Sequence, residues 1–91
     1  MAVTETEILA TGTNKTESGA VLIELGTMVT VCLKDAVNTA RATVELQDDA
    51  DNWQPTGMEM TAAKPSLSLI SPGNYRVVRQ ADGACGVFKV I

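Results

Sequence analysis

The sequence predicts a small all-β protein, an antiparallel β-sandwich or barrel of six to eight strands. Short segments with apolar residues at alternate positions recur along the chain, and Gly, Pro, Asn and Asp residues typical of turns separate them. No long window combines helical spacing of apolar residues with a capping residue, and residues 35–42 could form one helical turn at most. These observations favour strands throughout.

Length and composition limit the size of the interior. The chain has 91 residues and only three aromatic ones, Trp53, Tyr75 and Phe88, so it forms a single domain with a core of Val, Leu, Ile, Ala and Met. A domain of this size buries about 60 to 65% of the surface that its unfolded chain exposes. Its core is therefore thin, and association with neighbouring proteins would add stability.

Residues 1–18 are rich in Thr, Glu and Ser, and only Val3, Ile8 and Leu9 could anchor them. Threonine favours extended backbone, so we predict an extended N-terminal arm or an edge strand, with a frayed terminus as the alternative. Residues 19–91 are predicted to form one β-sandwich domain.

The first strands of that domain follow from the apolar pattern. Residues 21–23 (Val-Leu-Ile) are apolar on both faces, which is typical of a central strand or of one covered by a partner. Residues 29–34 and 42–47 alternate strictly between apolar and polar residues and predict two half-buried strands.

Turn residues divide the second half of the chain. Residues 48–52 (Asp-Asp-Ala-Asp-Asn) predict a turn, and residues 55–57 (Pro-Thr-Gly) are expected to end a short piece that starts at Trp53. Further strands are predicted over residues 58–60, 66–69, 75–79 and 87–91, with a Pro-Gly turn at 71–74.

Charge argues against nucleic-acid and membrane roles. The net charge is −4 and the basic residues are scattered singly, whereas phosphate binding needs concentrated positive charge. The longest apolar run, residues 20–23, is too short to span a bilayer, and no basic segment precedes an apolar one at the N-terminus. We expect folding in a reducing cytoplasm, with Cys32 and Cys85 as free thiols rather than a disulfide.

The sequence lacks the usual catalytic constellations, although paired carboxylates could act as acid and base without histidine. Histidine, the commonest general base and a frequent metal ligand, does not occur, and two cysteines do not make a zinc site. We therefore predict no enzyme activity and no cofactor. Asp48, Asp49 and Asp51 could be calcium ligands, but the spacing of an EF-hand is absent and a solvated turn is the favoured interpretation.

Two aromatic residues have alternative interpretations. Trp53 is a possible binding contact or sugar platform, and a structural tryptophan in the core or at a sheet edge is the favoured alternative. Tyr75 follows a Pro-Gly-Asn turn, as does the tyrosine of a sandwich corner, whose hydroxyl bonds nearby backbone.

The segments VELQDDADNWQPTG (44–57) and SLSLISPGNYRVVR (66–79) resemble small β-rich virion proteins of tailed bacteriophages. That family includes capsid decoration (cement) proteins, head fibres and tail accessory proteins, and the resemblance spans residues 40–91. It implies a structural virion protein, made in the bacterial cytoplasm, that sits on the capsid surface as a homotrimer. Its partners would be the major capsid protein or other virion proteins, and it implies no catalytic residue.

Candidate interface residues lie in two segments that are rich in apolar side chains. An isolated sheet would leave one face of each segment in water. Those of the folded domain are Val21, Leu22, Ile23, Leu25, Phe88, Val90 and Ile91. Val3, Ile8 and Leu9 would anchor the arm on the capsid or on a neighbouring subunit. The alternative is that residues 20–25 and 87–91 are central strands of one closed sandwich.

Two other functions remain open at this point. One is a head-fibre or tail module that binds a receptor or a carbohydrate, for which Trp53 would be the key contact. The other is a small cytoplasmic regulator that binds a partner protein through a sheet edge.

Overall fold

Alternating apolar and polar residues fold the chain into nine β-strands. The computed structural model describes residues 5–90. The strands are β1 (Glu5–Gly12), β2 (Thr16–Glu17), β3 (Val21–Ile23), β4 (Val29–Lys34), β5 (Arg41–Gln47), β6 (Trp53–Thr61), β7 (Ser66–Leu69), β8 (Gly73–Arg79) and β9 (Cys85–Val90). Within the described part of the chain there is no helix that could cross a membrane.

The strands form two antiparallel sheets. Sheet A has the order β1-β9-β4-β7. In sheet B, β6 and β5 lie on one side of β8, and the short strands β2 and β3 follow each other along its other side. The two inner faces pack against each other as a small sandwich, which confirms the predicted fold class, with nine strands in residues 5–90 where six to eight were predicted.

The core consists of the inward-facing residues of both sheets. Alternate residues of β4 are buried, and so are alternate residues of β5, as period-two alternation predicts. The core side chains are Leu9, Val21, Ile23, Val29, Val31, Leu33, Ala40, Ala42, Val44, Met60, Leu69, Tyr75, Val77, Cys85 and Val87. Small aliphatic side chains thus supply most of the interior, as the composition indicates.

Residues 21–23 form a short edge strand, so the expectation of a central strand is wrong. Val21 and Ile23 face inward and are buried, whereas Leu22 faces outward and is exposed. Among residues 5–90, only β8 pairs with β3, and the sandwich itself covers the two β-branched side chains.

Residues 53–61 form one strand, although the sequence predicted a break at residues 55–57. A bulge between β5 and β6 absorbs the irregularity, and Gly57 adopts φ +82° there, a conformation that suits glycine. The Thr56 hydroxyl donates to the Val44 carbonyl at 2.8 Å and accepts from the Met58 N–H at 3.1 Å. Pro55 fits because β6 is an edge strand, where a missing N–H breaks no ladder.

A buried arginine joins the two sheets across this apolar interior. Arg79 lies on the inner face of β8 and is only 5% exposed. Its guanidinium donates to the carbonyl oxygens of Ala10 on β1 at 2.7 Å and Cys85 on β9 at 3.0 Å. It also donates to the Asn14 carbonyl at 2.8 Å and to the Thr16 hydroxyl at 2.9 Å. One side chain thereby attaches the N-terminal strands to the rest of the sandwich.

The backbone beside Arg79 leaves room for the guanidinium. A Cβ atom at Gly12 would lie 2.9 Å from its Nη2 atom, so a side chain at this position would displace the guanidinium. Arg76, three residues earlier on the same strand, faces outward. The two arginines therefore lie on opposite faces of the strand.

We expect Arg79→Ala to lower the free energy of unfolding by about 3 to 5 kcal/mol, because it leaves several buried acceptors without donors. Arg79→Lys keeps the charge but loses the planar set of donors, and should cost about 1 to 3 kcal/mol. Urea denaturation followed by circular dichroism measures both changes.

The control is Arg41→Ala, which removes an exposed ion pair with Glu59 and should cost at most about 1 kcal/mol. Equal losses for Arg79→Ala and Arg41→Ala would contradict a structural role of the buried guanidinium.

Candidate protein-binding surface

Four large aliphatic side chains are exposed at one end of the sandwich. They are Leu22 (60% exposed), Leu25 (88%), Met28 (62%) and Ile70 (61%). Leu22 lies on β3, Leu25 and Met28 on the β3–β4 loop, and Ile70 on the β7–β8 loop. We call these four side chains, together with the end of the sandwich at which they lie, the apolar end.

Strand pairing brings these loops to the same end. Val29, the first residue of β4, pairs with Leu69, the last residue of β7. In the other sheet, Ile23 at the end of β3 pairs with Gly73 at the start of β8. Both loops cross from one sheet to the other, so residues 24–28 and 70–72 lie side by side.

Local hydrogen bonds shape these loops. The Thr27 N–H donates to the Glu24 carbonyl at 3.0 Å and closes a tight turn. The Tyr75 hydroxyl donates to the Ser71 carbonyl at 2.9 Å, which is the corner geometry predicted for this buried tyrosine. Leu25 and Ile70 are therefore displayed on turns held by hydrogen bonds, and Leu22 is displayed on strand β3.

The β5–β6 turn lies at the same end and depends on Asp48. One carboxylate oxygen accepts from the N–H groups of Ala50 and Asn52, both at 2.9 Å, and the other accepts from the Gln54 amide at 3.0 Å. The hydrogen bonds from Asn52, Gln54 and Ala50 hold the pKa of the Asp48 carboxyl below its usual value. The predicted turn at residues 48–52 is present. Among residues 5–90, no three His, Cys, Asp or Glu side chains lie close enough together to hold a metal ion.

Sequence analysis found two members of the apolar end, Leu22 and Leu25, and missed Met28 and Ile70. Ile70 directly precedes Ser-Pro-Gly, and Met28 follows Gly-Thr. An apolar residue next to turn residues is a signal for an exposed loop position, and it could have found both.

The other predicted interface residues lie elsewhere. Leu9, like Val21 and Ile23, is buried in the core, and Ile8 is half-buried beside it. Their contacts lie within the chain. The alternative that residues 20–25 and 87–91 form central strands holds for β9, which lies between β1 and β4, but not for β3. Phe88 and Val90 are half-buried on the outer face of sheet A, where they pair with Cys32 and Thr30 of β4. Val3 and Ile91 lie outside the described residues.

Trp53 lies at the sheet edge, on the outer face of β6 in sheet B, and not in the core. The guanidinium carbon of Arg76 sits 4.7 Å from the centre of its ring. The same arginine makes ion pairs with Glu17 and Glu45, at 2.7 and 2.6 Å. One face of the indole is therefore occupied, which weakens its candidacy as a sugar platform.

The two thiols are free and point in opposite directions. Cys85 faces the core of the sandwich, whereas Cys32 faces outward from the same sheet. Divergent side chains of this kind cannot form a disulfide without movement of the backbone. Burial raises the pKa of both thiols, so neither is an activated nucleophile.

The acid sensitivity of the Asp48 turn is testable. Because the folded-state pKa is lowered, the stabilisation is present above the pKa of about 3.9 for an unfolded aspartate and is lost as pH falls through the folded-state value. We expect Asp48→Asn to lower the melting temperature near neutral pH, and the difference from the wild type to shrink below about pH 4.

Asp49→Asn is the matched control, since it makes the same charge change in the same turn. Thermal melts followed by circular dichroism should show little effect of this control. The Asp48 role would be refuted if the two variants behaved alike at every pH.

A structural role for Trp53 also predicts a measurable loss. Trp53→Ala should lower the free energy of unfolding by about 1 to 3 kcal/mol, because the ring loses its contact area and its cation–π contact with Arg76. Trp53→Phe keeps an aromatic face and should cost less. Urea denaturation tests this, and unchanged stability in Trp53→Ala would contradict it.

The chain matches no protein-family model, no curated protein and no solved structure.

Proposed function

We propose that this chain is a structural virion protein of a tailed bacteriophage that binds the outer capsid surface as a decoration protein. The observation that carries the proposal is the apolar end, formed by Leu22, Leu25, Met28 and Ile70. Exposed apolar clusters on small domains are typical of protein contacts. The pattern of residues 44–57 and 66–79, which resembles small phage virion proteins, supports the same role.

The geometry suits a protein that acts by adhesion. The apolar end is displayed on strand β3 and on turns held by hydrogen bonds, such as that from Tyr75 to Ser71, so little ordering is needed when it binds. Apolar area that becomes buried across a junction between capsid subunits would stabilise that junction. Many symmetric copies multiply a modest contact, so each interface can be weak.

The homotrimer belongs to the same proposal. Phe88 and Val90 lie on the outer face of sheet A, at the same levels as Cys32 and Thr30. A phenylalanine and a valine on an outward face are candidates for a contact between subunits. The apolar end would then stay free to bind the capsid.

The test combines copy number with a binding assay. Mass spectrometry of virions from the phage that encodes the chain should find hundreds of copies per particle, as symmetric decoration requires. A handful of copies would instead indicate a tail or vertex component, and absence from virions would refute a virion role. Light scattering of the purified protein tests the trimer.

We expect the double variant Leu25→Glu and Ile70→Glu to lose binding to expanded capsids in a sedimentation assay. Central apolar contacts are often worth about 2 kcal/mol or more, so affinity should fall by about 30-fold or more. Both side chains are exposed, and thermal stability should therefore change little.

The matched control is Val37→Glu. Val37 is also an exposed aliphatic residue (46%) but lies on the β4–β5 loop at the opposite end. Equal binding by the double variant and the wild type would refute docking through the apolar end. The same assay separates the alternatives, since a cytoplasmic regulator would ignore capsids and a receptor-binding module would require Trp53.

A further inference from the structure

The net charge of the chain is concentrated at the apolar end. The nine strands carry five acidic and five basic residues, and the loops at the opposite end carry two of each, so both groups are neutral. The loops at the apolar end carry four acidic residues, Glu24, Asp48, Asp49 and Asp51, and no basic one. These four residues account for the whole formal charge of −4.

We propose that the apolar end binds a protein surface in which apolar side chains are ringed by lysine and arginine. This inference rests on the docking role proposed above and adds the chemistry of the partner. The aliphatic residues Leu22, Leu25, Met28 and Ile70 supply the contact, and the acidic loops beside them select the partner by charge.

The acidic loops argue against three other binding partners at the apolar end: a second copy of the chain, nucleic acid and anionic lipid. Two copies of the chain that met through this end would bring eight carboxylates together, and such repulsion is costly at an interface with reduced water access. Nucleic acid and anionic lipid carry the same sign of charge as the loops and are repelled for the same reason. A basic protein surface is the occupant that complements both the apolar side chains and the carboxylates.

The acidic residues of these loops differ in their structural roles. Asp48 holds the turn through its three hydrogen bonds and is unsuitable as a probe of charge. Among residues 5–90, by contrast, the side chains of Glu24 and Asp49 make no hydrogen bond or ion pair, and both residues are exposed. They can therefore be changed to alter charge without disturbing the loops.

The two contributions differ in their response to salt. Carboxylates around an interface accelerate association, and this effect weakens when salt shortens the screening length to about 8 Å at physiological ionic strength. Burial of the aliphatic side chains slows dissociation and is insensitive to such screening. Binding should accordingly slow in its association phase as salt rises.

The experiment uses three short fluorescent peptides as probes. One is composed of leucine and lysine, the second of leucine and glutamate, and the third of serine and lysine. Fluorescence anisotropy measures affinity for the whole protein, and NMR shift changes locate the contact. We expect the leucine–lysine peptide to bind best, with shift changes confined to residues 22–28, 48–52 and 70–72. Equal binding of the leucine–glutamate peptide, or shift changes at the opposite end, would overturn the proposal.

Charge reversal supplies the second readout. Glu24→Lys and Asp49→Lys should each weaken leucine–lysine peptide binding by roughly three- to tenfold, mainly in the association rate. Asp82→Lys makes the same charge change at the opposite end and should leave binding close to the wild type. Equal effects of the three variants would show a response to net charge alone and refute a local contact.

The peptide and capsid assays fail independently. Selective binding of the leucine–lysine peptide by a protein that ignores capsids would retain the chemistry of the partner and refute the decoration role. Capsid binding that is unaffected by Glu24→Lys, Asp49→Lys and added salt would retain the decoration role and refute the charged partner.

Discussion

The guanidinium of Arg79 is the contact on which the arrangement of the two sheets depends. It projects from sheet B into an interior made of small aliphatic side chains and donates to backbone carbonyls of β1 and β9 in sheet A. It also holds the segment between β1 and β2 through Asn14 and Thr16. A buried charge without such acceptors would be costly. The N-terminal strands and the arginine therefore need each other, which gives a thin core a directional link that aliphatic packing alone does not provide.

The two ends of the sandwich have different chemical characters because of this framework. The end that contains the β3–β4, β5–β6 and β7–β8 loops displays four aliphatic side chains and four carboxylates. At the other end the loop charges balance. A body with one apolar, acidic end is suited to attach in a single orientation, with its opposite end facing solvent. The network of Arg76 with Trp53, Glu17 and Glu45 spans the outer face of sheet B and reinforces that body.

Sequence patterns predicted those features that depend on neighbouring residues. The alternation in residues 29–34 and 42–47, the turn at 48–52 and the corner at Tyr75 could be recognised because each depends on a few adjacent residues. The prediction failed where a distant strand decides the outcome. Residues 55–57 continue a strand because β5 accepts a bulge there. Residues 21–23 lie at an edge because, in the described part of the chain, they pair with β8 on one side and with no strand on the other. Met28 and Ile70 were missed for a different reason, since the turn residues beside them in the sequence were a local signal of exposure.

By itself, therefore, the sequence determined the all-β class, most strand positions and the apolar composition of the core. The tertiary structure decided which loops share an end, where Arg79 finds its acceptors, and that the net charge and the exposed aliphatic residues occupy the same place. The reason is the separation along the chain between the residues that interact. Period-two alternation can be recognised within the sequence of a single strand. The order of the strands depends instead on pairings between distant segments, such as Glu5 of β1 with Val90 of β9. No local pattern encodes such a pairing.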